Sequence, residues 1–140
     1  MAKVVVDANV IISAAFGGMP LEATARALAL HEVYVSRVIE RELQGAVMEL
    51  SRKLSIDKVA SLRQKVRQLL ALAKLVPVSA RVKLSRDPKD DHYLSLCKEI
   101  GADFLITGDK DLLSILREDL GKNGISCLIL TPRAFLEAVS

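Results

Sequence analysis

Five short apolar runs separated by stretches of helical spacing restrict this chain more than any other feature. The runs are KVVV (3–6), EVYVS (32–36), KLVPV (74–78), DFLIT (103–107) and SCLIL (126–130). Most are continuously apolar rather than alternating, the pattern of parallel strands covered on both faces. Between them lie PLEATARALAL (20–30), SRVIERELQGAVMEL (36–50), SIDKVASLRQKVRQLLALAKL (55–75), DPKDDHYLSLCKEIG (87–101) and DKDLLSILREDLG (109–121). Ser36, Ser55 and Asp87 stand where N-caps belong, Pro20 and Pro88 in first turns, and Gly101 and Gly121 at stops. Strands alternating with helices predict an α/β domain, doubly wound around a mostly parallel five-stranded sheet. A chain of 140 residues, 51% hydrophobic, fits one domain over residues 1–140 with a sizeable core.

The first run raises a chemical question. Asp7 follows KVVV directly and precedes the apolar ANVIISA, so its carboxylate is expected to be buried. An unpaired charge there costs several kcal/mol, so something must neutralise it or bond to it. Ligands of open parallel sheets sit beyond the carboxyl ends of the strands, which is where Asp7 lies and where Asp109 of LITGDKD opens after the fourth run. Glu42 borders the apolar stripe formed by Val38, Ile39, Leu43, Ala46 and Leu50. Asp87, Asp90 and Asp91 crowd the first turn of the helix before the fourth strand, where the dipole favours carboxylates. Each acid taken singly has an ordinary explanation: a helix cap for Asp7 and Asp87, a solvated edge for Glu42, turn residues for Asp109 and Asp111. Four segments delivering acids toward one sheet edge are better explained together. Such clusters repel unless a hard cation neutralises them, and oxygen ligands suit Mg²⁺ or Mn²⁺.

Charge is unevenly spread. The segment from Ser51 to Arg86 carries ten basic residues and one acid, Asp57, for a local charge of +9, which leaves −6 on the rest. That asymmetry is the footprint expected for phosphate contacts, with a merely solvated helix face as the alternative. Trp is absent and aromatic residues make up 4% of the chain, which argues against a dedicated single-strand binder built on base stacking. The N-terminus lacks signal-peptide features, and the apolar stretch LLALAKLVPV is cut by Lys74 and Pro77, so a cytoplasmic protein without membrane contact is expected. Cys97 and Cys127, thirty positions apart inside apolar segments, fit two free thiols in a reducing compartment.

The motifs resemble those of the PIN domain family. VVVDANVIISA is similar to its first motif, VSRVIERELQ to the segment bearing its helical Glu, and DPKDDHYLSLCKEIGADFLITGDKDLL to its paired third and fourth motifs. The likeness covers nearly the whole chain and is especially close to the compact VapC-like toxin ribonucleases of toxin–antitoxin pairs. It implies a three-layer α/β/α domain and a metal-dependent endoribonuclease. It assigns the metal-binding, catalytic acids to Asp7, Glu42, Asp91 and Asp109, with Asp111 and Asp90 as accessory acids and Asn9 and Thr107 as polar supports. Asp91 is preferred to Asp90 because its interval of eighteen residues to Asp109 matches the family's usual spacing. Ala8 departs from the Ser or Thr of many relatives, which removes a hydroxyl from the surroundings of Asp7. The likeness further implies RNA as substrate, a cognate antitoxin as partner and a homodimer, to which the broad apolar circumference of LLALAKL adds a hint.

An acidic pocket approaches a phosphodiester only through cations, so in this reading one or two metal ions ligate the phosphate, activate water and stabilise the leaving oxygen. Arg52, Lys53, Arg63 and Arg67 then contact the neighbouring RNA phosphates. Two other readings compete. A phospho-acceptor receiver would place its Asp after the central strand and a Lys after the last, and KLVPVSA and SCLILTP supply neither. A catalytically silent PIN scaffold that binds RNA or protein would show no metal-dependent turnover.

Overall fold

A computed structural model describes residues 1–139 of the chain. Five parallel strands form one sheet in the order β3-β2-β1-β4-β5: β1 Lys3–Val6, β2 Glu32–Val35, β3 Lys74–Leu75, β4 Phe104–Ile106 and β5 Leu128–Leu130. After β1 the chain builds outward through β2 and β3, then returns to the other side of β1 for β4 and β5. The order therefore reverses between β1 and β4, and there the crevice beyond the strand ends opens. Both central strands are apolar on both faces. Val4, Val5, Val6, Leu105 and Ile106 are fully buried, worth about 1.5–3 kcal/mol for each large side chain removed from water.

The helices cover both faces, giving the three-layer α/β/α arrangement. They are α1 Ala8–Ala14, α2 Gly18–Leu30, α3 Arg37–Ser51, α4 Ile56–Ala71, α5 Asp91–Ile100, α6 Lys110–Leu113, α7 Arg117–Lys122 and α8 Pro132–Val139, with a 3-10 turn at Pro88–Asp90 before α5. On one side α2 packs on β2 and α8 on β4 and β5, and the two helices touch; α5 packs against β1. Helix α4 packs against both α3 and α1. Ser36 and Ser55 cap α3 and α4 through Ile39 and Lys58 N–H, Asp87 caps the 3-10 turn through Lys89 N–H, and Gly101 ends α5 at φ 65°.

Helix α1 follows β1 immediately, with Asp7 as the N-cap that its position allowed, burying Ala8, Val10, Ile11 and Ala14 and exposing Asn9 and Ser13. Three expectations are corrected. The run at 74–78 forms ladder only at Lys74–Leu75, with one further bond from Val76 N–H to the Val35 carbonyl, because β2 ends at Val35 and Ser36 already caps α3. The helix expected over 109–121 is two short ones, and the second runs through Gly121 to Lys122, the left-handed residue being Gly124 at φ 76°. Helix α8 has no counterpart among the helical stretches read from spacing, although Thr131 accepts the Ala134 N–H and Pro132 opens the first turn. Its Phe135 is fully buried and edge-on to Phe104, with ring centroids 5.4 Å apart.

Candidate active site

Asp7 directly follows β1 and is 3% exposed. Its backbone N–H still pairs with Ile106 of β4, so the side chain is fixed at the β1/β4 crevice before any partner is counted. Oδ1 accepts the Asn9 N–H at 2.9 Å and so caps α1; Oδ2 accepts the Thr107 hydroxyl at 2.7 Å. Thr107 is itself fully buried, and its Oγ1 accepts the Asp109 N–H at 3.0 Å. Asp109 in turn caps α6 by accepting the Asp111 N–H at 2.7 Å. One hydroxyl thus joins the acids at the ends of the two central strands. Asn9 is exposed and lines an open cleft with Asp7, Ser13, Gly108 and Asp109.

The two acids at the start of α5 do different things. Asp91 Oδ1 accepts the N–H groups of Leu84 and Ser85 at 3.0 and 2.8 Å. Ser95 Oγ accepts from Val82, and Glu99 Oε1 accepts from Ser79 and Ala80. Asp91, Ser95 and Glu99 recur every four residues, so they form one stripe of α5 that pins the extended segment 79–85 where no strand pairs with it. Hydrogen bonds from Ala80 and Ser79 hold the Glu99 carboxyl below its usual range. Asp91, the acid preferred from spacing, is therefore occupied with holding backbone.

Asp90 instead faces the other acids. Burial, a proton shared with Asp109, and the charges of Asp109, Asp87 and Asp7 push its carboxyl up to about 7. Its Oδ2 is buried without a conventional hydrogen-bond donor. Oxygens of Asp87, Asp90 and Asp111 also lie within 4.8 Å of one another, so Asp90 is shared between the Asp7/Asp109 side and the Asp87/Asp111 side of one acidic cluster. Arg86 reaches its rim, 3.7 Å from Asp111 Oδ1, and donates to Ser114 Oγ at 3.1 Å.

Glu42, on the second turn of α3, is joined to Asp7 by a side chain that the sequence reading did not single out. Tyr93 Oη accepts the Ala8 N–H at 3.0 Å and lies 3.2 Å from Asp7 Oδ1 and 2.6 Å from Glu42 Oε1. Tyr93 is 2% exposed, and burial beside the Asp7 charge drives the phenol pKa upward. His92 Nε2 lies 3.0 Å from the same Glu42 oxygen, but neither ring nitrogen meets hydrogen-bond geometry, so this is an ion pair when the imidazole is protonated. Burial raises the Glu42 pKa, but the contacts with His92 and Tyr93 outweigh it and leave the group below its usual value. The signal for Tyr93 was available: the chain has two tyrosines, and one stands inside DDHYLSL. Ala8 has no hydroxyl to offer Asp7, and those of Thr107 and Tyr93 approach it instead.

The basic strip forms a separate surface. Arg63 and Arg67 line a groove between α3 and α4, Arg52 pairs loosely with Glu49 at 3.8 Å, and Lys53 is exposed in the turn after α3. Cys97 and Cys127 are both free and buried. Among the described residues no helix is long and apolar enough to cross a membrane.

A family model for the PIN domain matches residues 3–111. The chain belongs to the PIN domain family. The matched span runs from β1 to Asp111 and takes in every acid of the cluster, leaving α7, β5 and α8 outside. Two solved structures share its fold. PAE2754 from Pyrobaculum aerophilum superposes with a TM-score of 0.64 at 15% identity, covering 99% of this chain and 91% of its own. VapBC2 from Rickettsia felis, bound to a DNA fragment from its promoter, gives 0.57 at 15% identity, covering 91% of this chain and 96% of its own. Comparison with curated protein sequences gives no match. At these identities the likeness speaks to the fold, in which the PIN sheet and its β1/β4 crevice carry the acids.

Proposed function

We propose that this PIN domain is a metal-dependent endoribonuclease, with Mg²⁺ or Mn²⁺ held by Asp7, Asp90 and Asp109 and with Glu42 at the edge of the site. The observation that carries the reading is Asp90: a carboxylate pushed up to about 7 by burial and by neighbouring acids, with one oxygen buried and unpartnered, has the like-charge surroundings that a bound cation relieves. All-oxygen donors fit a hard divalent ion. Asp90 therefore takes the place that spacing gave to Asp91, whose oxygen is spent on Leu84 and Ser85. Asp87 and Asp111 extend the donor set on the far side of Asp90 and could serve a second ion. When bound, such an ion supplies a Lewis acid for the phosphate and a water of lowered pKa.

The residues of the chain do the positioning. Thr107 holds Asp7 and orders Asp109 through its N–H, so both acids keep fixed rotamers. Glu42, kept ionised, is suited to complete the metal's oxygen shell or to orient the attacking water by accepting a hydrogen bond from it. Arg86 at the rim is suited to bind a phosphate oxygen, and the strip through Arg52, Lys53, Arg63 and Arg67 to carry RNA phosphates further along. Likeness to the VapBC2 structure supports a toxin role with a cognate antitoxin as partner. The exposed Leu72 and Leu75 after α4 support a homodimer, and the two free thiols support a cytoplasmic setting.

The test is cleavage of single-stranded RNA with Mg²⁺, with Mn²⁺ and with excess EDTA, using Asp7→Asn as the control. Turnover that needs the metal and is lost in the variant supports the reading. Full activity in EDTA, or none under any condition with a folded and metal-bound protein, refutes it.

A further inference from the structure

The hydroxyl of Tyr93 stands in a triangle that contains one mobile proton. The Ala8 N–H, the first free donor of α1, points at Tyr93 Oη from 3.0 Å and occupies a lone pair there. The phenolic proton can then go to Glu42 Oε1 at 2.6 Å or to Asp7 Oδ1 at 3.2 Å. The shorter contact has the length of a charge-assisted O–H···O⁻ bond, and Asp7 Oδ1 is already served by Asn9 N–H. The proton therefore belongs to Glu42. His92 approaches that same Oε1, while Oε2 has no hydrogen bond from the described residues. A phenylalanine would fill the same space, so the hydroxyl serves these contacts rather than packing.

We propose that Tyr93 is a positioning residue of the site, its hydroxyl bridging Asp7 Oδ1 and Glu42 Oε1 and so fixing the Glu42 carboxylate by Oε1, with Oε2 left free of protein hydrogen bonds. The proposal rests on the metal-dependent nuclease reading and deepens it. Three elements meet in this one oxygen: α1 by its first N–H, α3 by Glu42 and α5 by Tyr93 itself. Without the hydroxyl, Glu42 regains rotamer freedom, the Ala8 N–H loses its acceptor, and the distance between Glu42 and Asp7 is no longer set.

The experiment compares wild type, Tyr93→Phe, Glu42→Gln and the double variant. Three quantities are read: melting temperature, Mn²⁺ affinity from electron paramagnetic resonance of free Mn²⁺, and kcat and KM on single-stranded RNA. A loosened constellation lowers rate by about 10- to 100-fold. Tyr93→Phe should lose that much in kcat with KM within about twofold, Mn²⁺ affinity should weaken several-fold, and the double variant should be no worse than Glu42→Gln, because both changes break the same bond. A Tyr93→Phe loss that is repeated in full on the Glu42→Gln background overturns the proposal, as does a variant equal to wild type in kcat and Mn²⁺ affinity. Should Tyr93→Phe fail to fold, proton NMR of the wild type decides: a slowly exchanging Tyr93 hydroxyl resonance that shifts in Glu42→Gln supports the bond, and its absence or indifference to Glu42 overturns it. A wild type that binds no Mn²⁺ and cleaves no RNA takes down the nuclease reading and this proposal together. Failure in the variants alone leaves that reading standing.

Discussion

Replacing Asp90 with Asn should make the metal-free protein more stable and the metal-loaded protein weaker. In the folded chain Asp90 titrates at about 7 rather than 3.8. Since the folded state holds the proton more tightly than the unfolded chain, this group penalises folding as pH rises: the penalty is absent below about 4 and complete above about 7. At 1.36 kcal/mol per pKa unit, a shift of about three units caps the penalty near 4 kcal/mol. Asp90 is only half-buried, and solvent screening reduces that to about 1–2 kcal/mol. The amide introduced by Asp90→Asn carries no charge, so at pH 8 the variant should melt about 3–8 °C above wild type. At pH 4 the difference should vanish or reverse slightly, since the neutral acid shares a proton with Asp109 that the amide must replace. Mn²⁺ at about 100 times its Kd should then add about 2.7 kcal/mol to wild type and much less to the variant, inverting their order. Calorimetry of both proteins from pH 4 to 8.5, with EDTA or with Mn²⁺, measures this. A difference independent of pH would show that Asp90 is not strained by its neighbours, and equal Mn²⁺ shifts would remove it from the metal site.

Asp91→Ala should lose about 1–3 kcal/mol of stability by stranding the Leu84 and Ser85 N–H groups while keeping Mn²⁺ affinity, which separates it from Asp90 in a single thermal titration. Thr107→Val, which removes the hydroxyl between Asp7 and Asp109, should lower kcat more than KM in steady-state RNA cleavage, with a stability loss of about 1–3 kcal/mol. If Arg63 and Arg67 contact RNA phosphates, changing either to Gln should flatten the slope of log K against log salt by about 0.7, measured by binding of uncleaved RNA in Ca²⁺; unchanged slopes would make the groove between α3 and α4 a solvated surface.

Much of this was legible in the sequence, for reasons that differ from element to element. The strands could be read because both faces of the sheet are covered, and continuous apolar runs have few other uses. Asp7 could be read because a carboxylate between KVVV and NVII has nowhere to hide. Helix α1 was legible only as a possible helix capped by Asp7, since two turns carry little period, and α8 was marked by its Thr131–Pro132 cap and by Phe135, Leu136 and Val139 at helical spacing. Spacing alone does not show which of Asp90 and Asp91 faces Asp109, because neighbouring residues on a helix point about 100° apart. Linear distance to Asp109 cannot tell which of two adjacent carboxylates faces it.

The sequence also holds information that bears on this choice, C-terminal to the pair. Asp91, Ser95 and Glu99 are polar at four-residue spacing on a helix whose Tyr93, Leu94, Leu96 and Cys97 are buried. Preceding that helix is VPVSARVKLSR, too long for a tight connection and without the Gly of a flexible coil. An extended segment without a neighbouring strand must find acceptors for its N–H groups, and a polar helical stripe is the obvious source of them. Asp91 begins that stripe, so its Oδ1 is committed to backbone before any cation is considered. Asp90, a turn-edge residue outside the stripe, is left to meet Asp7 and Asp109 across the β1/β4 crevice. In the proposed site, the third acid is thus chosen by competition between backbone hydrogen bonding and cation binding: the segment at 79–85 engages Asp91 Oδ1, and Asp90 is the acid offered to the cation.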